Sequence, residues 1–242
     1  MSRAAVVATG LATVPVAAAA VHALPAVTSR GPVLHWRPRL AGRGRPGGVA
    51  LTFDDGPDPV GTPMVLDALD TLGWRATFFL LGSQVRQHPD VARSVVRAGH
   101  EIAVHGDRHR NHVLRSAGDI RADVARALGD VTAATGVRPR WFRPPYGVMS
   151  RGSVLAAREL GLTTVMWTTW GRDWLASPPE RVRATVAKSL ADGGTILLHD
   201  SDCTSKPGSY RSTAGALPLL ARDVDRLGLQ VRSLGQHLLD AG

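Results

Sequence analysis

A distorted (β/α) barrel with about seven parallel strands is the fold class this sequence predicts, and three observations predict it. Short apolar runs alternate with amphipathic stretches over most of the chain, the amphipathic stretches stop at glycines, and residues suited to metal-assisted hydrolysis follow the apolar runs. A strand followed by a helix, repeated, implies parallel pairing with right-handed crossovers, in either an open doubly wound sheet or a closed barrel. The barrel is favoured because it opens every strand's C-terminal end on one face, where side chains distant in sequence meet. An open sheet gathers them mainly at its switch point.

The elements follow in order. After Met1-Ser2-Arg3 comes a weakly apolar run, residues 4–25, rich in Ala and Val, with small residues at 17–20 and 23–26. That is the pattern of a secretory signal peptide, so residues 1–30 are expected to act as an export leader or, uncleaved, as a membrane tether, although Gly10, Pro15 and His22 interrupt the run. The expected location is extracytoplasmic, secreted or membrane-anchored. Residues 31–47 are rich in Gly, Pro and Arg without a hydrophobic period and read as a linker. A single domain, 48–242, then begins. Its expected strands are VALTF (49–53), ATFFLL (76–81), EIAVH (101–105), RWFR (140–143), TTVMW (163–167), TILLH (195–199) and LQVRSL (229–234). Between them lie expected helices at 62–73, 83–99, 116–136, 151–161, 179–193 and 213–228, each closing on glycine, the usual helix stop.

Composition narrows the function classes. A chain of 242 residues, 44% hydrophobic, buries one full core. Cys203 is the only cysteine, so no internal disulfide supports the fold. The formal charge of +9 is nearly all arginine, Lys188 and Lys206 being the only lysines. The arginines are scattered, which argues against nucleic-acid binding and fits attraction to an anionic cell-wall polymer. A monomer is expected.

Five segments carry chemistry: TFDDGP (52–57), HGDRH (105–109), RPPYG (143–147), GRDW (171–174) and LLHD (197–200). Asp54 and Asp55 leave a buried strand at a Gly-Pro turn. Neighbouring side chains diverge in extended backbone, so one carboxylate can bind a metal while the other faces substrate; the competing reading is a turn in which Asp caps the next helix. His105 and His109, four apart, fall on one face of a helical turn and suit a first-row metal. His112 extends that face, leaving a three-histidine site open beside one completed by Asp55; the bland reading is a solvated polar turn. Arg143, stiffened from behind by Pro144-Pro145, reads as a residue that steadies a carboxylate while the Tyr146 N–H points at a reacting carbonyl, the competing reading being a tight Pro-Tyr-Gly turn with a surface arginine. His199 is the natural general acid, with Asp173 to orient it and keep it protonated.

These segments, in this order over about residues 48–235, resemble the polysaccharide deacetylases of carbohydrate esterase family four, which share the NodB-homology domain. The resemblance implies Asp54 as base, Asp55, His105 and His109 as metal ligands, Arg143 holding the base and Tyr146 as oxyanion donor. It also implies Asp173 tuning His199, with Trp174 and Leu197 enclosing the acetyl group. Two departures stand out. Gly106 replaces the usual Ser or Thr after the first metal histidine, a lost hydrogen bond expected to weaken metal affinity about 10-fold or more. Trp170 replaces the first Asp of the fourth motif and offers an aromatic face for a sugar ring. The expected activity is metal-dependent removal of acetyl groups, N-acetyl first, from a carbohydrate such as peptidoglycan or a chitin-like oligosaccharide. The expected cofactor is a divalent metal, zinc first, with cobalt, manganese and nickel also compatible. The competing functions are a catalytically impaired metal- or carbohydrate-binding member of the same fold, and another metal-dependent hydrolase.

Overall fold

The computed structural model describes residues 19–27, 34 and 36–238. Eight strands, all parallel, form its sheet: β1 (Gly48–Asp54), β2 (Thr77–Leu80), β3 (Glu101–Val104), β4 (Trp141–Phe142), β5 (Thr163–Thr164), β6 (Thr169–Trp170), β7 (Thr195–His199) and β8 (Gln230–Arg232). Their order is β5-β4-β3-β2-β1-β7-β6, with β8 beside the N-terminal residues of β1. The sheet curls into a half-barrel that stays open between β5 and β6, as a distorted barrel should. The two-residue β6 is additional to the seven expected strands; it is too short to show a period.

Among the described residues from 48 onward, eight α-helices wrap the outside: α1 (Gly61–Thr71), α2 (Gly82–Gln87), α3 (Pro89–Arg97), α4 (Ala117–Thr135), α5 (Arg151–Glu159), α6 (Pro179–Ala187), α7 (Ser209–Arg226) and α8 (Leu234–Leu238). The single helix expected over 83–99 is two. Pro89 opens α3 at its first turn, and His88 before it takes φ −130° and ψ 55°, outside the helical region that a following proline disfavours. Gly73, Gly99, Gly136, Gly161 and Gly228 each follow a helix with positive φ, the left-handed stop that a Cβ would penalise. The expected 179–193 helix ends earlier, at Ala187.

Alternation along β1 divides the core. Leu51 and Phe53 face the helices, where Phe53 stacks on Phe78 at 4.9 Å among Val65, Leu69 and Leu217. Ala50 faces the inside of the curl with Phe79, Ala103, Trp141 and Val165. Thr52 and Asp54 share that inner face by the two-residue period, so a carboxylate is carried to the top of a buried layer.

The described part of the 31–47 segment is hydrogen-bonded into the domain. Leu40 O accepts from Met166 N at 2.7 Å, Gly42 O from the Thr195 hydroxyl at 2.6 Å, and Gly44 N donates to Gly193 O at 2.9 Å. This segment satisfies backbone groups beside the open edge, where strand pairing ends. Residues 1–18 and 28–30 of the expected leader lie outside the described residues. Residues 19–27 are helical, with His22 Nε2 3.3 Å from the His112 carbonyl oxygen. Among the described residues no helix is long and apolar enough to cross a membrane.

Candidate active site

Strand register assembles the site. Asp54 on β1 is the parallel partner of His199 on β7, Trp170 on β6 that of Leu197, and Val104 on β3 that of Phe142. Residues directly after the last pair, His105 and Arg143, therefore emerge side by side. All five segments meet in a cavity of about 250 Å3 whose lining includes Asp54, Asp55, His105, His109, Tyr146, Trp170, Trp174, Leu197 and His199.

Arg143 is wholly buried, and every part of its guanidinium is used. Nη1 donates to Asp54 Oδ1 at 2.7 Å and to the Thr52 hydroxyl at 3.0 Å, Nε to Val165 O at 3.1 Å, and Nη2 to Met166 O at 2.9 Å. The Phe79 ring lies 4.0 Å beneath it. Burial lowers the Arg143 pKa, with Asp54 opposing, yet arginine stays charged at any working pH. Asp54 thus accepts a charge-assisted hydrogen bond on one oxygen, and its other, Oδ2, faces His105 Nε2 at 3.7 Å.

Asp55 turns away from Asp54 because its backbone is left-handed, at φ 80°. Its Oδ1 is buried without a hydrogen-bond partner and lies 3.4 Å from His105 Nε2 and 3.5 Å from His109 Nε2. The other oxygen accepts a 2.5 Å hydrogen bond from Thr204. His105 Nδ1 donates to the Arg143 carbonyl at 2.8 Å, which fixes the tautomer and leaves the Nε2 lone pair facing Asp55. Three donor atoms separated by 3.4 and 3.5 Å match the edges of a tetrahedron, about 3.3–3.4 Å for bonds of ~2.0–2.1 Å to a central zinc-like ion. Asp55, His105 and His109 are the one set of three such donors among the described residues.

The electrostatics agree with a cation there. Burial alone would raise the Asp55 pKa, but the neighbouring imidazoles, His105 first and then His199 and His109, hold it well below the usual carboxylate range. Burial lowers the His109 pKa to about 4, and the neighbouring His105 adds to that against Asp55, so the imidazole is neutral as a ligand must be. Burial also opposes charge on His105, yet Asp54 and Asp55 raise its pKa. Two carboxylates this close favour positive charge at that point, whether a proton or a metal ion carries it.

His112 does not join them. Residues 105–111 form a loop rather than a helical turn, so the three-residue step carries His112 away to stack on Phe142 and meet the Ser153 hydroxyl at 2.9 Å. The three-histidine alternative is thereby corrected. Gly106, at φ 91°, has a backbone that strains any L side chain, and a Cβ there would come within 2.9 Å of Asp123 Oδ2 and displace it. That carboxylate, from α4, accepts the Asp107 N–H at 2.7 Å. Asp107 in turn pairs with Arg86 at 2.6 Å.

On the opposite wall, Asp173 is fully buried at the start of a short 3-10 turn, Asp173–Leu175. Its Oδ2 accepts from the His199 amide at 2.6 Å and the Thr213 hydroxyl at 2.7 Å, while Oδ1 accepts from His199 Nδ1 at 3.1 Å. Burial pushes the His199 pKa down, but Asp173 first, then Asp55 and Asp54, lift it to about 10. Trp174 meets the imidazole edge-on at 5.4 Å, and Trp170 and Trp167 continue the aromatic wall at 5.1 and 6.0 Å. Tyr146 has a left-handed backbone at φ 58° in the turn closed by Gly147 N to Pro144 O, and its ring lies 4.1 Å from His109. Thr204, Thr213 and Asp123 are participants that no sequence pattern marks, and Thr52 and Trp167 lie in segments quoted above without having been given a role.

Comparison with known proteins gives one answer. The sequence profile of the family described as Polysaccharide deacetylase matches residues 41–165. The chain is 32% identical to a chitooligosaccharide deacetylase of Bradyrhizobium sp. (strain ANU 289), covering 78% of this chain and 89% of that protein. It is also 32% identical to a peptidoglycan-N-acetylglucosamine deacetylase of Bacillus cereus, covering 78% and 87%. Among solved structures, a CE4 family pseudoenzyme from Bacillus anthracis superposes with a TM-score of 0.73 at 27% identity, over 81% of this chain and 66% of that one.

Proposed function

The chain belongs to the polysaccharide deacetylase family, and from that premise we propose which of its residues carry the hydrolysis of an acetyl group from a carbohydrate. The observation that supports the reading is the register pairing of Asp54 with His199 beside the Asp55, His105 and His109 donor set, which gathers around one cavity the residue types that a base, an acid and a metal site require.

A divalent ion held by Asp55, His105 and His109 would polarise the acetyl carbonyl and acidify an attacking water. Asp54, held by Arg143 on one oxygen, takes the water's proton on the other. The Tyr146 N–H faces the oxyanion of the tetrahedral intermediate, a donor of a kind worth about 3 kcal/mol. Trp174 and Leu197 enclose the acetyl methyl, and Trp170 offers its face to the sugar. His199 then protonates the departing amine, the Asp173 carboxylate having held that proton's imidazole in place. Atoms balance: water's hydroxyl joins the acetyl carbon, the C–N bond breaks, and acetate and a free amine leave.

Zinc is the metal this nitrogen-rich mixed donor set suits first, with cobalt, manganese and nickel as competitors. We further propose N-acetyl rather than O-acetyl groups as substrate, a monomer, and extracytoplasmic action directed by residues 1–30; the Ala- and Val-rich run at 4–25 supports the last. Against the impaired alternative stands the presence of every proton carrier together with the three donor atoms. Asp54→Asn and His199→Ala should each lower turnover by about 10²-fold or more while metal content is retained. Normal turnover in either variant would remove that residue from the mechanism.

A further inference from the structure

Beside the acetyl cavity, and resting on the deacetylase reading of it, we propose that Trp170 and Arg172 form a subsite for a carboxylate-bearing sugar next to the acetylated one. The enzyme then selects anionic glycans over neutral ones.

The local chain leaves Arg172 little choice of position. Gly171 before it is pinned: its amide donates to Leu197 O at 3.2 Å, and a Cβ there would strike Leu198 at 2.5 Å and Val182 at 2.8 Å. Asp173 after it is buried and holds His199. Between these two fixed points Arg172 has a left-handed backbone at φ 52°, is exposed, and lays its guanidinium 5.1 Å from the Trp170 ring centre. Trp170 itself lines the cavity. Among the described residues Arg172 has no carboxylate partner.

The main chain of a second exposed basic residue, Lys206, is tied to the same wall, its amide donating to Trp174 O at 3.0 Å. The cavity's own carboxylates do not neutralise this rim: Asp54 is committed to Arg143, and Asp55 to Thr204 and the histidines. A pyranose ring has apolar C–H faces that stack on aromatic side chains, and a guanidinium 5.1 Å from the Trp170 ring centre can meet a carboxylate with two parallel hydrogen bonds. An Asp at 170 would pair with Arg172 and repel such a sugar; Trp at 170 removes that charge. A neutral glycan gives Arg172 nothing to bind.

The test compares acetate release from a peptidoglycan tetrasaccharide with free carboxylates and from the same tetrasaccharide methyl-esterified, for the wild type and Arg172→Asn, a residue that tolerates the left-handed backbone. The wild type should show a KM about 5-fold lower for the free acid than for the ester, a difference that salt reduces. Arg172→Asn should raise KM for the free acid about 5-fold more than for the ester, with kcat little affected. Equal effects on acid and ester, or no wild-type preference, would overturn the subsite. If no substrate yields acetate, the deacetylase reading fails instead. Binding of both tetrasaccharides to Asp54→Asn protein then decides the subsite separately: tighter binding of the free acid supports it, equal binding sinks it.

Discussion

Asp173 never touches the reacting atoms, yet the acid form of His199 depends on it. Burial would strip the imidazolium of its proton near neutral pH, and the Asp173 carboxylate, bonded to Nδ1, is the first of the charges that lift its pKa to about 10. A raised pKa means the protonated acid persists through neutrality and is lost as pH rises towards that value. Asp173→Asn removes the charge but keeps an acceptor, so the alkaline fall of kcat should begin at lower pH, with the acidic side little moved. A pH profile whose alkaline limb stays in place would contradict this role. The pairing of Asp173 with His199 was legible because both stand in chemical motifs. The hydroxyls that complete the site were not: Thr204 reaches Asp55 across 149 residues, and a lone threonine carries no periodic or motif signal, while Thr52, though it opens the TFDDGP segment, meets Arg143 across 91 residues, a pairing that nothing in the segment announces.

Helix α4 shows how an element supports a site it does not line. Its Asp123 accepts the Asp107 amide in the loop that carries His105 and His109, and occupies the space that Gly106 leaves open. With no side chain at Gly106 to hold it, the loop is held by Asp123 and His105 itself by the Arg143 carbonyl. Asp123→Ala should therefore weaken metal affinity about 10-fold or more, read by competition with a chromophoric chelator, while far-UV circular dichroism stays that of the wild type. Unchanged affinity would show that the loop holds its shape alone. At this scale the sequence was most informative where glycine and proline punctuate it: five of six expected glycine stops sit at helix ends, and Pro89 marks the break between α2 and α3. It was least informative for β6 and for the loop at 105–111, where a four-residue histidine spacing suggests a helical turn. The imidazoles converge through Asp55 instead, and the third histidine diverges.

For the whole molecule, parallel register turns a one-dimensional string of motifs into a three-dimensional site. Each motif follows a strand, all strands run the same way, and the curl brings their ends together over an inner layer of Ala50, Phe79, Ala103 and Trp141. The half-barrel closes its open edge with residues 40–44 rather than with a further strand, a use of the Gly-, Pro- and Arg-rich segment that composition alone does not reveal. The +9 charge would attract an anionic glycan, and the proposed subsite at Arg172 would give that general attraction a specific place to act. The most direct test of the central claim is acetate released from N-acetylated oligosaccharide by protein stripped of metal with a chelator and then reloaded with zinc or cobalt. The account predicts no acetate from the stripped protein and restored release, with an equal yield of free amine, on reloading. Release that is indifferent to metal, or none from protein with metal demonstrably bound, would contradict it.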